Sequence, residues 1–192
     1  MLQGFITALE LANIEASDID VSTLALMRIL PAEAGSRTVA VVNIADGLTN
    51  ILVSERGKPR LARLVAIKLK DLAEKMKVSL DAVLEEAIKS SGVKRSAYNS
   101  WIDNLVTETS SSLAYYQNQP DASELEAVIL NGRGARLGGL SKRLEAELGL
   151  PVKITNPFIN YAGTSKKNDQ AGLKAVEYAI CAGLALRGLE GS

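Results

Sequence analysis

Two short runs combine residue types that can contact phosphate, metal or polar ligands. The first is Asn43-Ile44-Ala45-Asp46-Gly47-Leu48-Thr49, a turn between two apolar segments. A strand–turn–strand of this kind can present backbone amides, the Thr49 hydroxyl and the Asp46 carboxylate to a phosphate or its Mg²⁺. The plainer alternative is a β-turn that uses Asp-Gly for its positive φ values. The second run is Leu130-Asn131-Gly132-Arg133-Gly134-Ala135-Arg136-Leu137, which reads as strand, glycine turn and helix. Glycines let a ligand approach the backbone, and a helix start offers unpaired N–H groups to polar or anionic groups. Glycine turns in that position also serve packing alone. The spacing is neither the dinucleotide fingerprint nor a P-loop, since no Gly-Lys-Ser/Thr follows.

Composition narrows the chemistry further. The 192 residues carry 22 basic and 22 acidic side chains, one cysteine and no histidine. Absent histidine removes Ser–His and Cys–His nucleophiles, histidine general bases and histidine metal sites. Zero net charge argues against a chain devoted to gripping nucleic acid or anionic membrane. Cys181 has no internal disulfide partner, so a reducing compartment is the simpler reading, and its apolar helix makes it a packed small hydrophobe. Residues 1–12 lack a basic leader, and no apolar run approaches the roughly 20 residues that span a bilayer. A signal peptide and direct membrane insertion are therefore not expected. Glu86 and Lys89, three apart on a helix, either frame a ligand or form an exposed ion pair. Lys166–Lys167 reads as a solvated loop, and Trp101 and Tyr116 as core.

The elements that must position these runs follow from pattern. Residues 38–44 are β-rich and almost wholly apolar, as in a strand buried on both faces. Residues 48–54 return from the Asp46-Gly47 turn, and residues 60–67 return again after Arg56-Gly57-Lys58-Pro59. Helical spacing covers residues 2–13, 23–30 (with Ser22 as cap and Pro31 as stop), 70–76 and 79–90. A longer helix carries Tyr98, Trp101, Leu105, Leu113 and Tyr116 and ends before Pro120. Short strands at 127–130 and 151–154 flank a helix over 137–148 that Gly149 caps. A polar loop over 156–169 precedes a final helix from about 170 to 186. Antiparallel strands followed by parallel β–α units predict a mixed α/β sheet of about five strands with helices on its faces. That order matches an RNase H-like module, the lobe of actin-like and sugar-kinase-like proteins, an analogy of fold that carries no function by itself.

Longer stretches carry a resemblance. They are Ser112-Leu113-Ala114-Tyr115-Tyr116-Gln117-Asn118-Gln119, the run from Ala127 through Leu140, Leu148-Gly149-Leu150-Pro151-Val152, Asn156-Pro157-Phe158, and Ala182-Gly183-Leu184-Ala185-Leu186-Arg187-Gly188. In order and spacing they resemble the PilM family, cytoplasmic actin-like (FtsA-like) ATP-binding proteins of type IV pilus assembly. The likeness runs over about residues 2–188 and covers only the C-terminal half of the family's usual length. It implies that residues 1–36 are tail elements of a first lobe, 37–169 the second lobe, and 170–192 a closing C-terminal helix.

The same resemblance implies nucleotide-binding roles. Asn43, Asp46, Gly47 and Thr49 fall on the second phosphate motif. Asn131, Gly132, Gly134 and Arg136 fall on the adenosine motif, and Glu86 and Lys89 lie beside the nucleoside. Three departures bear on that carry-over. Asn43 replaces the aspartate that engages the metal shell, Ala45 replaces a glycine, and Arg133 interrupts a row of small residues. An amide keeps hydrogen bonding but loses the charge that attracts Mg²⁺. The expectation is a scaffold subunit with an incomplete or degenerate nucleotide site, where ATP and Mg²⁺ bind weakly or not at all and no residue is catalytic. The alternatives are an active ATP-dependent switch or a GspL-like component of a type II secretion platform. The implied partner is the cytoplasmic tail of an inner-membrane PilN-like protein, engaged mainly through the first lobe. That places the chain in the cytoplasm, peripheral to the inner membrane, with self-association as a further expectation.

Overall fold

The computed structural model describes residues 2–16, 18–158 and 174–190. From residue 159 onward, the expected polar loop, the Lys166–Lys167 pair and the expected start of the last helix lie outside these residues. Five strands form one sheet: β1 (Thr38–Ile44), β2 (Thr49–Glu55), β3 (Lys58–Val65), β4 (Ala127–Asn131) and β5 (Val152–Ile154), ordered β3-β2-β1-β4-β5. β1–β2 and β2–β3 pair antiparallel, whereas β1–β4 and β4–β5 pair parallel. The mixed sheet expected from the element order is thus present.

Among the described residues the α-helices are α1 (Leu2–Leu11), α2 (Ser22–Arg28), α3 (Leu69–Met76), α4 (Val83–Lys89), α5 (Gly92–Gln117), α6 (Leu140–Leu148) and α7 (Ala179–Glu190). Every β1 residue is buried because both faces of the sheet are covered. Ala40, Val42 and Ile44 face one core with Leu69, Leu72, Trp101, Leu105, Tyr116 and Leu140 from α3, α5 and α6. Val39 and Val41 face the other, with Leu26 of α2, Ile29 just beyond it, and Ala179 and Ala182 of α7. This alternation is the two-residue strand period made visible in packing. β3 is an edge, exposed along most of its length. Pro59 sits at its second position, where a missing N–H is tolerated, so the strand starts two residues earlier than expected.

Several local expectations are corrected. Ser22 does not cap α2; Val21 holds the cap position without a side-chain bond, and the Ser22 hydroxyl donates to Asn50 Oδ1 at 3.0 Å. Neither Asp46 nor Gly47 has positive φ, so the β1–β2 connection is not a primed two-residue turn. Asp46 and Gly47 still make the connection, closed by the Ala45 N–H donating to the Leu48 carbonyl at 3.0 Å, but with φ negative at both. The primed backbone occurs instead at Arg56 (φ 48°) and Gly57 (φ 76°) between β2 and β3. The helix expected over 137–148 starts three residues later, as α6, because Gly139 at φ 86° resets the chain before it, and the glycine run ahead of it winds into a 3-10 turn over Arg133–Arg136. Gly149 caps α6 as expected, at φ 65°, with its N–H on the Glu145 carbonyl. Cys181 is exposed, against the expectation of a packed position, and borders the same cavity as Asn43 and Gly132.

Residues 22–36, which the resemblance assigns to a first lobe, pack on the second face of this sheet. An ionic clamp fastens them to α7: Arg28 Nη1 lies 2.6 Å and Arg187 Nη1 3.2 Å from Asp20 Oδ2, and Arg187 also pairs with Asp18. Desolvation is the largest influence on Asp20 and raises its pKa. The Val21 N–H, Arg28 and Arg187 together overcome it and hold the carboxyl below the ordinary 3.8. A depressed folded-state pKa means the clamp stabilises the fold above the unfolded value and is lost as pH falls through the lower, folded one. Asp20→Asn should therefore lower the melting temperature at neutral pH. Its difference from the parent protein should hold at neutral pH and shrink as pH falls below 3.8, through the depressed folded-state value, as thermal melts across pH would show.

Candidate functional site

β1 and β4 run parallel side by side, with Asn43 opposite Asn131 at their carboxyl ends. From there the chain departs in opposite directions, to β2 on one side and through α6 to β5 on the other. Divergence at neighbouring strand ends leaves a crevice where α/β proteins place ligands. The two runs singled out by composition meet at this point.

Glycine makes the meeting close. At Gly132 (φ 79°) a Cβ would lie 2.4 Å from the Ile44 carbonyl oxygen, and at Gly134 one would lie 2.3 Å from Ile44 Cγ2. Packing thus accounts for both glycines: each lets the turn after β4 lie flat against the end of β1. The Gly132 N–H is committed to the Val176 carbonyl at 3.0 Å. Helix α5 braces the arrangement. Tyr98 donates its hydroxyl to the Gly138 carbonyl (2.6 Å), and Trp101 Nε1–H donates to the Lys68 carbonyl (3.0 Å).

The groups of the first run are not all turned toward the crevice. Thr49 is fully buried and its hydroxyl donates to the Ile67 carbonyl at 2.8 Å, so it is not presented to a ligand. The carbonyls of Ala45 and Asp46 accept from the N–H groups of Leu69 and Lys70, supplying the start of α3 with the partners that no side-chain cap provides. Asn43 is buried and lines a cavity of about 280 Å³ together with Ala45, Asp46, Gly132, Arg133 and Glu177. Gly47 does not line it. Beside Asn43, Asn131 is fully buried with neither amide atom hydrogen-bonded among the described residues.

A second cavity, of about 360 Å³, is lined by Asp81, Leu84, Glu85, Arg133, Arg136, Lys174 and others. Arg133, Glu177 and Tyr178 are common to both cavities. Arg133 Nη1 lies 3.6 Å from Asp46 and 3.4 Å from Asp81, and its Nε lies 3.5 Å from Glu177. Arg136 pairs with the other oxygen of Glu177. Glu86 and Lys89 line neither cavity, and Glu86 pairs with Lys94 at 3.3 Å, not with Lys89. Sequence reasoning missed Glu177, which stands 41 residues beyond Arg136 with no local pattern to single it out. It also missed Lys174 and Tyr178. Among the described residues no group of three or more His, Cys, Asp or Glu side chains converges to hold a metal ion.

Sheet order, two-sided helical cover and a glycine-packed crevice at the β1–β4 ends define a lobe of the actin-like α/β fold. Solved structures agree on the fold. EutJ from Carboxydothermus hydrogenoformans superposes with a TM-score of 0.60 at 18% identity, over 96% of this chain and 60% of that one. MreB5 of Spiroplasma citri bound to ADP gives 0.71 at 10% identity, over 100% and 67%. The chain belongs to the type IV pilus assembly protein PilM family, whose sequence profile matches residues 4–189. It is also similar to a chain of the PilM–PilN type IV pilus biogenesis complex, with a TM-score of 0.81 and 28% identity over 97% of its own length. It spans 57% of that chain. The family match falls on the pilus reading and not on the secretion-platform alternative. Among the described residues no helix is long and apolar enough to cross a membrane.

Proposed function

We propose that the chain acts in type IV pilus assembly as a scaffold subunit whose nucleotide site is degenerate at its phosphate end. One observation carries this reading: the position that would face Mg²⁺ is the neutral Asn43, while the Thr49 hydroxyl is turned inward to Ile67. The nearby carboxylates of Asp46 and Glu177 are paired with Arg133 and Arg136. With a neutral amide at the strand end and no free hydroxyl from the hairpin, a hard divalent cation therefore has few available oxygen ligands there. The residues present fit an Mg²⁺–triphosphate poorly, so no hydrolytic step is derived. The scaffold's partner is a PilN-like cytoplasmic tail, by analogy with the PilM–PilN complex, and such a partner would hold a cytoplasmic chain at the inner membrane.

Titration with labelled ATP and Mg²⁺ tests the reading. The parent protein should show no micromolar binding, whereas Asn43→Asp should make Mg²⁺-dependent binding measurable. Micromolar affinity in the parent would overturn the scaffold and favour an ATP-dependent switch.

A further inference from the structure

We infer that Arg133 is an internal partition that decides whether the crevice can take a ligand as long as a nucleoside triphosphate. The inference rests on the nucleotide-site reading above and concerns how that site is regulated.

Arg133 stands in the wall common to the two cavities, and its guanidinium fans toward three carboxylates on three separate elements. Asp46 belongs to the β1–β2 loop, Asp81 to the turn before α4, and Glu177 to the 3-10 turn before α7. A planar fork with several fixed N–H donors suits such bridging, and a single ammonium does not. The contact with Asp81 is open to water and contributes little alone. Glu177 is the stronger anchor, since its side chain is only 20% exposed and Arg136 holds its other oxygen. The side chain therefore has a fixed seat and does not wave in solvent.

The consequence is one of size. Each cavity, at about 280 and about 360 Å³, is near the lower limit for a small-ligand site. A nucleoside triphosphate needs one continuous space, with its base and its phosphates in different compartments. While Arg133 bridges Asp46 and Glu177, that path is crossed by a side chain already neutralised by its own carboxylates. Those carboxylates leave little unpaired positive charge for a phosphate. Ligand entry must first pull Arg133 off Glu177 and Asp46, and the apparent affinity falls by the fraction of molecules in which it is already free.

Arg133→Ala tests this without touching the glycines that pack on Ile44. ATP with Mg²⁺ is titrated against parent and variant, and amide hydrogen exchange is followed without nucleotide. The variant is expected to bind at least about tenfold tighter, as for a closed arrangement populated in nine molecules of ten. Exchange in residues 81–86 should accelerate while the β1 amides, which report intact folding, stay protected. Equal affinities, including no binding by either protein, overturn the partition, as does unchanged exchange at 81–86. The absolute affinity of the parent judges the scaffold reading and the ratio of the two proteins judges the partition, so either can fail alone.

Discussion

Gly183→Ala is expected to lower the melting temperature by about 10 °C, a destabilisation of about 3 kcal/mol in a domain of this size. Helix α7 crosses α2 at this glycine, where an added Cβ would lie 1.9 Å from the Ala25 carbonyl oxygen and 2.5 Å from its carbon. The obstacle is backbone, so no rotamer change relieves it. The two helices must separate, and the apolar contacts of Leu26, Ile29, Ala179 and Ala182 with the sheet loosen together. Over-packing usually costs about 1–3 kcal/mol, and a main-chain clash belongs at the top of that range. Thermal denaturation followed by circular dichroism measures the effect. Gly188→Ala on the same helix is the comparison, because nothing lies within 4 Å of a Cβ there. It should be neutral or slightly stabilising, since alanine favours helix over glycine by about 1 kcal/mol. A parent-like melting temperature for Gly183→Ala would mean that the helices do not cross at this glycine.

Gly132→Ala is expected to cost still more, about 4 kcal/mol, because two penalties act on one residue. At φ 79° any side chain is strained, and this one would press within 2.4 Å of the Ile44 carbonyl oxygen and 2.9 Å of its nitrogen. The turn over 132–136 must lift from the end of β1, breaking the Gly132 N–H bond to the Val176 carbonyl and carrying Arg133 away from Asp46. Denaturant unfolding gives the size, and loss of exchange protection at the Gly132 amide gives the location. Gly139→Ala separates the two penalties. It shares a positive φ, 86°, but meets no atom within 4 Å, so only the conformational cost remains, about 1–2 kcal/mol.

Why some of this was legible in sequence and some was not follows from range. The seven residues 38–44 could be nothing but a doubly buried strand, and β1 occupies those positions without a shift. Tyr98, Trp101, Leu105 and Tyr116 recur at helical spacing, and all are buried on one side of α5. Gly149 ends its helix as a glycine there should. Patterns like these are written within one or two turns of chain. The β1–β2 loop was misread because Asp-Gly is a strong local signal for a primed turn. A tertiary demand overrode it: the loop carbonyls are needed by the start of α3, more than 20 residues away. Thr49 looked available for the same reason, since only the returning chain at Ile67 shows that its hydroxyl is spent. The candidate site was legible as two runs of residues but not as a cluster. Its charged lining comes from Asp81 and Glu177 as well, distant in sequence and unmarked by any spacing.

The two faces of the sheet are completed at different moments in the life of the chain. Helices α3, α5 and α6 lie between the strands in sequence, so all of the first core except Val176 can close as soon as β5 exists. The second face is covered by α2, made before the first strand, and α7, made after the last. During synthesis, Val39, Val41, Leu52, Ala127 and Ile129 are thus only half sheltered until residues 179–190 have left the ribosome. A nascent chain arrested before α7 presents an apolar strip along a finished sheet, and chaperones bind surfaces of that kind. The close approach at Gly183 is then the final step of maturation, and it brings together the segments made before the first strand and after β5.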